Sequence, residues 1–152
     1  MKQNTEPLYI YKALDIKYKF YDCNPNNTKK YSASACNDCS VRTLCKITGK
    51  SWYEVFNDLI TTGITLKSMP DSIKVIHKVY ASNGLKLLKI KGTVGAFMAK
   101  HKTGAYAIMI EHHMFAYIDG VIYDSVDGIP LKDEDIEYLT IAMITRIYSE
   151  EK

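Results

Sequence analysis

Residues 112–126, HHMFAYIDGVIYDSV, decide how the second half of the chain folds. They form two β-prone runs separated by Asp119-Gly120, a dipeptide suited to the type I′ hairpin turn because both of its central residues take positive φ. A two-residue turn there sets Ile118 opposite Val121, Phe115 opposite Asp124 and His113 opposite Val126. Side chains alternate faces along a strand, so His113, Phe115 and Tyr117 share a face with Ile122, Asp124 and Val126, while His112 points the other way with Tyr123 and Ser125. His113 and Asp124 become diagonal neighbours at roughly 7–8 Å between backbones, a gap that long side chains bridge. A carboxylate can therefore hold the imidazole. A bulge in the first run would exchange the faces of the two histidines, and Asp127 takes the place of Asp124 if the turn differs.

Working outward, AYAIMIE (105–111) is apolar on both faces and reads as a central strand covered on each side. LKLLKI (85–90) is a second strand candidate, TVGAFMAKH (93–101) a short helix, and a last strand runs from about Tyr138 to Ile147 after the acidic KDEDIE. Upstream the period changes. From Cys39 to Lys46 the apolar positions Val41, Leu44 and Cys45 recur at helical spacing, with Asn37 and Asp38 as N-cap residues and Gly49 as the stop. Ser51 caps the next helix, with Glu54 completing a capping box and Trp52, Val55, Phe56 and Leu59 on one face, where Trp52 and Phe56 read as core. A third helix spans Pro70 to Asn83, with Ile73, Ile76, His77 and Tyr80 as its apolar stripe and Gly84 at its end. Helices first and an antiparallel sheet second make the chain α+β.

The 152 residues and 47% hydrophobic content fit one domain, residues 1–152, with a single core. The start, MKQNTEPLYIYKALDIKYKF, has neither a basic lead nor a continuous apolar run, and no later stretch reaches the length of a membrane span, so the expectation is a cytoplasmic protein without membrane contact. Net charge is +3, spread over single lysines, with Arg42 and Arg146 as the only arginines. Nucleic acid is therefore not the expected partner, since bidentate guanidinium readout has little to work with.

The four cysteines, Cys23, Cys36, Cys39 and Cys45, all lie in the first third and are expected as thiols. Cys36 and Cys39 form C-x-x-C, which opens a zinc reading, but Cys23 and Cys45 do not make a second close pair. Cys45, on the apolar stripe, is expected to be buried, and Cys23 and Cys36 are loop thiols with no task assigned. Cys39 sits at a helix N-terminus, followed much later by His113 and Asp124 on one hairpin face. Nucleophilic thiol chemistry needs such parts: the positive helix end and an imidazolium favour thiolate, and a carboxylate fixes the imidazole's tautomer. Asp38 opposes thiolate formation unless its charge is engaged, and Arg42, one helical turn on, is the expected partner.

The stretch NDCSVRTLCKITGKSWYEVFNDL (37–59) resembles the DCxVRAL…TGKSYxEV opening of small papain-like cysteine peptidase-like proteins of phages and bacteria. HHMFAYIDGVIYDS resembles their later motif, in which a histidine starts a strand, DG turns it and an aspartate follows on the return. The resemblance covers about a quarter of the chain. It implies a papain-like fold, with Cys39 as nucleophile, His113 as base and Asp124 as orienting acid. The glutamine that relatives carry before the nucleophile is missing between Tyr21 and Cys39, which leaves Asn37 and the Cys39 N–H as oxyanion donors.

The expected function is a cofactor-independent cysteine hydrolase acting on a protein or peptide substrate, as peptidase, isopeptidase or amidase, through a thioester. Acyl transfer to an amine uses the same machinery. The alternative is a papain-like scaffold, encoded by a phage or bacterium, that binds or inhibits a protein without catalysis. Residues 60–70 and 92–104 are the expected pocket-lining loops, and either a monomer or a homodimer fits the size.

Overall fold

A computed structural model describes residues 17–25, 37–88, 90–124 and 134–142. Its elements are β1 (Lys17–Phe20), α1 (Cys39–Thr48), α2 (Trp52–Leu66), α3 (Ile73–Ser82), β2 (Leu85–Leu88), α4 (Val94–Lys100), β3 (Ala105–Ile110), β4 (His113–Ile118), β5 (Val121–Asp124) and β6 (Tyr138–Ala142). The described residues thus form an α+β fold of four helices and one six-stranded mixed sheet, ordered β1-β5-β4-β3-β6-β2.

The hairpin of β4 and β5 adopts the register that its sequence dictates, with Ile118 opposite Val121, Tyr117 opposite Ile122 and Ala116 opposite Tyr123. Asp119 and Gly120 take φ of 47° and 81°, both positive as a type I′ turn requires. The Asp119 carboxylate also accepts the Gly104 N–H at 2.8 Å, tying the turn to the start of β3. β3 is central, flanked by antiparallel β4 and β6, and nearly all of its side chains are buried.

Alternation along the central strands builds two cores. On one face the small residues Ala105, Ala107, Ala116 and Ala142, with Met114 and Ile118, let α1–α3 seat Leu44, Val55, Val75 and Tyr80 against the sheet. On the other face Tyr106, Ile108, Phe115, Tyr117 and Ile122 pack on Val94, Phe97 and Met98 of α4. Among the described residues no helix is long and apolar enough to cross a membrane.

The helices start and stop where local chemistry directs. Gly49 closes α1 at φ 76° and donates its N–H to the Cys45 carbonyl at 2.9 Å. Ser51 and Glu54 form the reciprocal capping box of α2. Gly63 lies within α2 because a Cβ there would come to 2.8 Å from the Ser68 carbonyl oxygen, where the chain folds back.

Several expectations need correction. The sheet is mixed, because β1 runs parallel to β5, with Lys17 opposite Val121 and Phe20 opposite Asp124. The order of helices first and sheet second also fails at one point, since β1 precedes α1, while β2 follows α3 as expected. β1 is a four-residue edge strand with largely exposed side chains. Its pairing rests on backbone bonds, such as Lys17 N–H to Gly120 O at 3.0 Å, rather than on an apolar pattern that a sequence displays. α3 begins at Ile73 rather than Pro70, and it buries Val75, Ile76, Val79 and Tyr80, leaving Ile73 and His77 half-buried. Phe56 is 38% exposed, and Trp52, stacked on it at 4.6 Å, is half-buried, so neither is a core residue. The expected strand residues beyond Ala142, together with Cys36, Ser125, Val126 and Asp127, lie outside the described residues.

Candidate active site

Cys39 is the first residue of α1 and lines a cavity of about 350 Å³ together with His113, the first residue of β4. The helix packs on the sheet face of Met114, Ala116 and Ile118, so its N-terminal end arrives at the end of β4 where His113 begins. His113 Nε2 lies 2.7 Å from Asp124 Oδ2, and Asp124 is 5% exposed. Cys39 lines the same cavity and is among the groups that favour the protonated imidazole. Nε2 is engaged by the carboxylate, which leaves Nδ1 as the ring nitrogen available to the thiol. Of the three residues predicted together from sequence, His113 and Asp124 are in direct contact, and Cys39 lines one cavity with His113.

The electrostatics of His113 follow from these neighbours. Burial works against the imidazolium, but Asp124, hydrogen-bonded to the ring at 2.7 Å, and the neighbouring Cys39 overcome it and push the histidine up to about 10. Its proton is therefore retained across the neutral range. His112 sits in the two-residue turn between β3 and β4 at φ 58°, its side chain 91% exposed, and not in the strand as its sequence position suggests. No bulge is needed for His113 to face Asp124.

Asp124 is fixed from behind by the strand that sequence patterns missed. Its backbone carbonyl accepts the Tyr21 N–H at 2.8 Å and the Tyr18 hydroxyl at 3.3 Å. The end of β5 cannot fray without breaking both bonds.

The start of α1 is equally constrained. Asp38 is the N-cap residue, yet its side chain makes no capping bond. Instead the buried carboxylate pairs with Arg42 Nε at 2.8 Å and accepts hydrogen bonds from Trp52 Nε1 at 2.9 Å and Asn24 Nδ2 at 2.8 Å. Asp22 approaches the same Arg42 Nε at 3.5 Å. The expected Asp38–Arg42 pair is therefore present, inside a larger network whose other members sequence reasoning missed. Tyr80, fully buried, donates to the Ser40 carbonyl at 2.7 Å and braces the residue after Cys39. Because Asp38 faces inward, the first N–H groups of α1 are left uncapped by it beside Cys39. Asn37, at φ 48° and exposed, lines the same cavity.

The remaining described thiols form a separate pair. Cys45 lowers the neighbouring Cys23, and Cys23 together with burial raises Cys45 far above the ordinary thiol range. Cys23 thus has a partner that its loop position did not suggest. Among the described residues no group of three or more His, Cys, Asp or Glu side chains is placed to hold a metal ion. Residues 60–70 and 92–104, expected to line the pocket, do not: most of the first lies in α2 and much of the second is α4, while the cavity draws on α1, α3 and the β3–β4 turn.

Comparison with protein-family models, curated proteins and solved structures returned no match to this chain.

Proposed function

We propose that the chain is a papain-like cysteine hydrolase acting on an amide, isopeptide or related acyl bond. The observation that carries this reading is the 2.7 Å contact of His113 Nε2 with Asp124, with Cys39 lining the same cavity as His113 from a helix N-terminus. In the proposed cycle the Cys39 sulfur attacks the acyl carbon, and the carbonyl π electrons move to oxygen. The Cys39 N–H and Asn37, both at the cavity, are the donors we assign to that oxyanion. As the tetrahedral intermediate collapses, His113 gives its proton to the leaving amine and a thioester remains. His113 then takes a proton from water, the hydroxide displaces the thiolate, and the acid product leaves. Asp124 holds the ring in place throughout and keeps its charge.

The test is acylation by p-nitrophenyl acetate, followed by nitrophenolate release in the first turnover. The proposal expects a burst of one equivalent, an acetyl group on the Cys39 peptide by mass, no burst in Cys39→Ser, and slowed deacylation in His113→Ala. A wild-type protein that releases nitrophenolate no faster than Cys39→Ser would point to the alternative, a scaffold that binds a protein without catalysis.

A further inference from the structure

The cavity around Cys39 mixes two kinds of surface. Ile76, Ile110 and Met114 are buried and apolar, whereas Asp71 and Glu137 are exposed carboxylates. Glu137 is held in position by its own backbone, whose N–H donates to the Met109 carbonyl at 2.9 Å. Asp71 stands two residues before α3, in the turn closed by Ser72 N–H to Met69 O at 3.0 Å. Neither carboxylate pairs with a lysine or arginine among the described residues, and no lysine or arginine lines the cavity. This runs against the whole chain, whose net charge is +3. Two histidines also line the cavity. His113 is met by Asp124 at 2.7 Å, and His112 by Glu111 at 3.6 Å.

We infer that the cavity selects an acyl substrate carrying a lysine or arginine side chain beside the scissile bond, with Asp71 and Glu137 as the specificity-determining residues. Such a side chain has an apolar stem and a charged tip, which is the combination that an apolar cavity with an acidic rim accepts. A cavity of this volume is only about 7 Å across, inside the Debye length of about 10 Å at 0.1 M salt, so the rim charges act on whatever approaches Cys39. The inference rests on the hydrolase reading for its acyl bond, but the cation preference of the cavity does not.

The experiment compares acylation of Cys39 by the p-nitrophenyl esters of Nα-acetyl-lysine and Nα-acetyl-norleucine, whose stems match and which differ in the terminal ammonium. Beside it, Cys39 is modified with trimethylammonioethyl and sulfonatoethyl methanethiosulfonates, and each rate is normalised to free cysteine and assigned by peptide mass. The lysine ester is expected to react about tenfold faster at low salt, and the cationic reagent to be favoured severalfold over the anionic one. Both preferences should shrink in 1 M salt and in Asp71→Asn/Glu137→Gln. Ratios near one in the wild type, or ratios unchanged in the double variant, would overturn the inference. If neither ester acylates Cys39, the hydrolase reading fails, and the methanethiosulfonate pair alone then decides whether the cavity prefers cations.

Discussion

Replacing Asp124 by Asn keeps the shape of the side chain and removes the charge that His113 Nε2 meets at 2.7 Å. In the wild type, burial pulls the imidazole down while Asp124 and Cys39 push it up, for a net rise from the ordinary 6.5 to about 10. Asp124 leads the groups that push it up, and it meets the ring at 2.7 Å. Its loss should therefore lower the His113 titration by about two pH units or more, a change of about 3 kcal/mol in the preference for imidazolium. The assay is a ring-proton NMR titration, with the His113 signal assigned by its absence in His113→Ala. The same shift appears in stability. A histidine raised in the folded state contributes stabilisation that is fully present below about pH 6.5 and is lost as pH rises through about 10. Wild type should exceed Asp124→Asn most in urea unfolding below pH 6.5, and the gap should close toward pH 10. A His113 that titrates near 6.5 in the wild type, or that moves by less than half a pH unit in Asp124→Asn, would refute the reasoning.

Other perturbations probe the frame. Trp52→Phe keeps a ring against Phe56 but removes the indole donor to the buried Asp38 carboxylate, and should cost about 2 kcal/mol in urea unfolding; an unchanged midpoint would show that the bond is not formed. Leu44→Ala empties a fully buried site between α1 and the sheet and should cost about 3 kcal/mol by the same measurement, whereas a loss below about 1 kcal/mol would contradict the packing described. In denaturant-free thiol counting, Cys45 should be the slowest of the described cysteines, because it is 1% exposed and its titration is raised by Cys23 and by burial; prompt labelling of Cys45 would rule out that burial.

Much of the site was legible because its signals are local. Asp119-Gly120 fixes a turn, the turn fixes a register, and the register sets His113 beside Asp124 without further information. Gly49, Ser51 and Glu54 likewise mark the ends of α1 and α2 through bonds that span only a few residues. The supporting contacts were illegible for the opposite reason. Tyr18 and Tyr21 reach Asp124, Tyr80 reaches Ser40, and Trp52 and Asn24 reach Asp38 across long stretches of chain, and no periodicity announces such meetings. β1 escaped because a short edge strand held by backbone bonds has no required side-chain pattern. Phe56 misled because its helical spacing matches Val55 and Leu59 while only those two are buried, α2 packing on α1 and α3. Asp38 was read as a cap by residue type, but Arg42, Trp52 and Asn24 together outbid the helix N–H groups for its oxygens.

The central claim is that His113 and Asp124 activate Cys39. The most direct test is the rate at which iodoacetamide modifies Cys39 from pH 5 to 9 in wild type and His113→Ala, with the modified thiol located by peptide mass. The account predicts that wild-type Cys39 is labelled faster than Cys39 of His113→Ala in the acid part of this range, with the difference shrinking toward pH 9. Two superimposable profiles, both falling with acid, would contradict it.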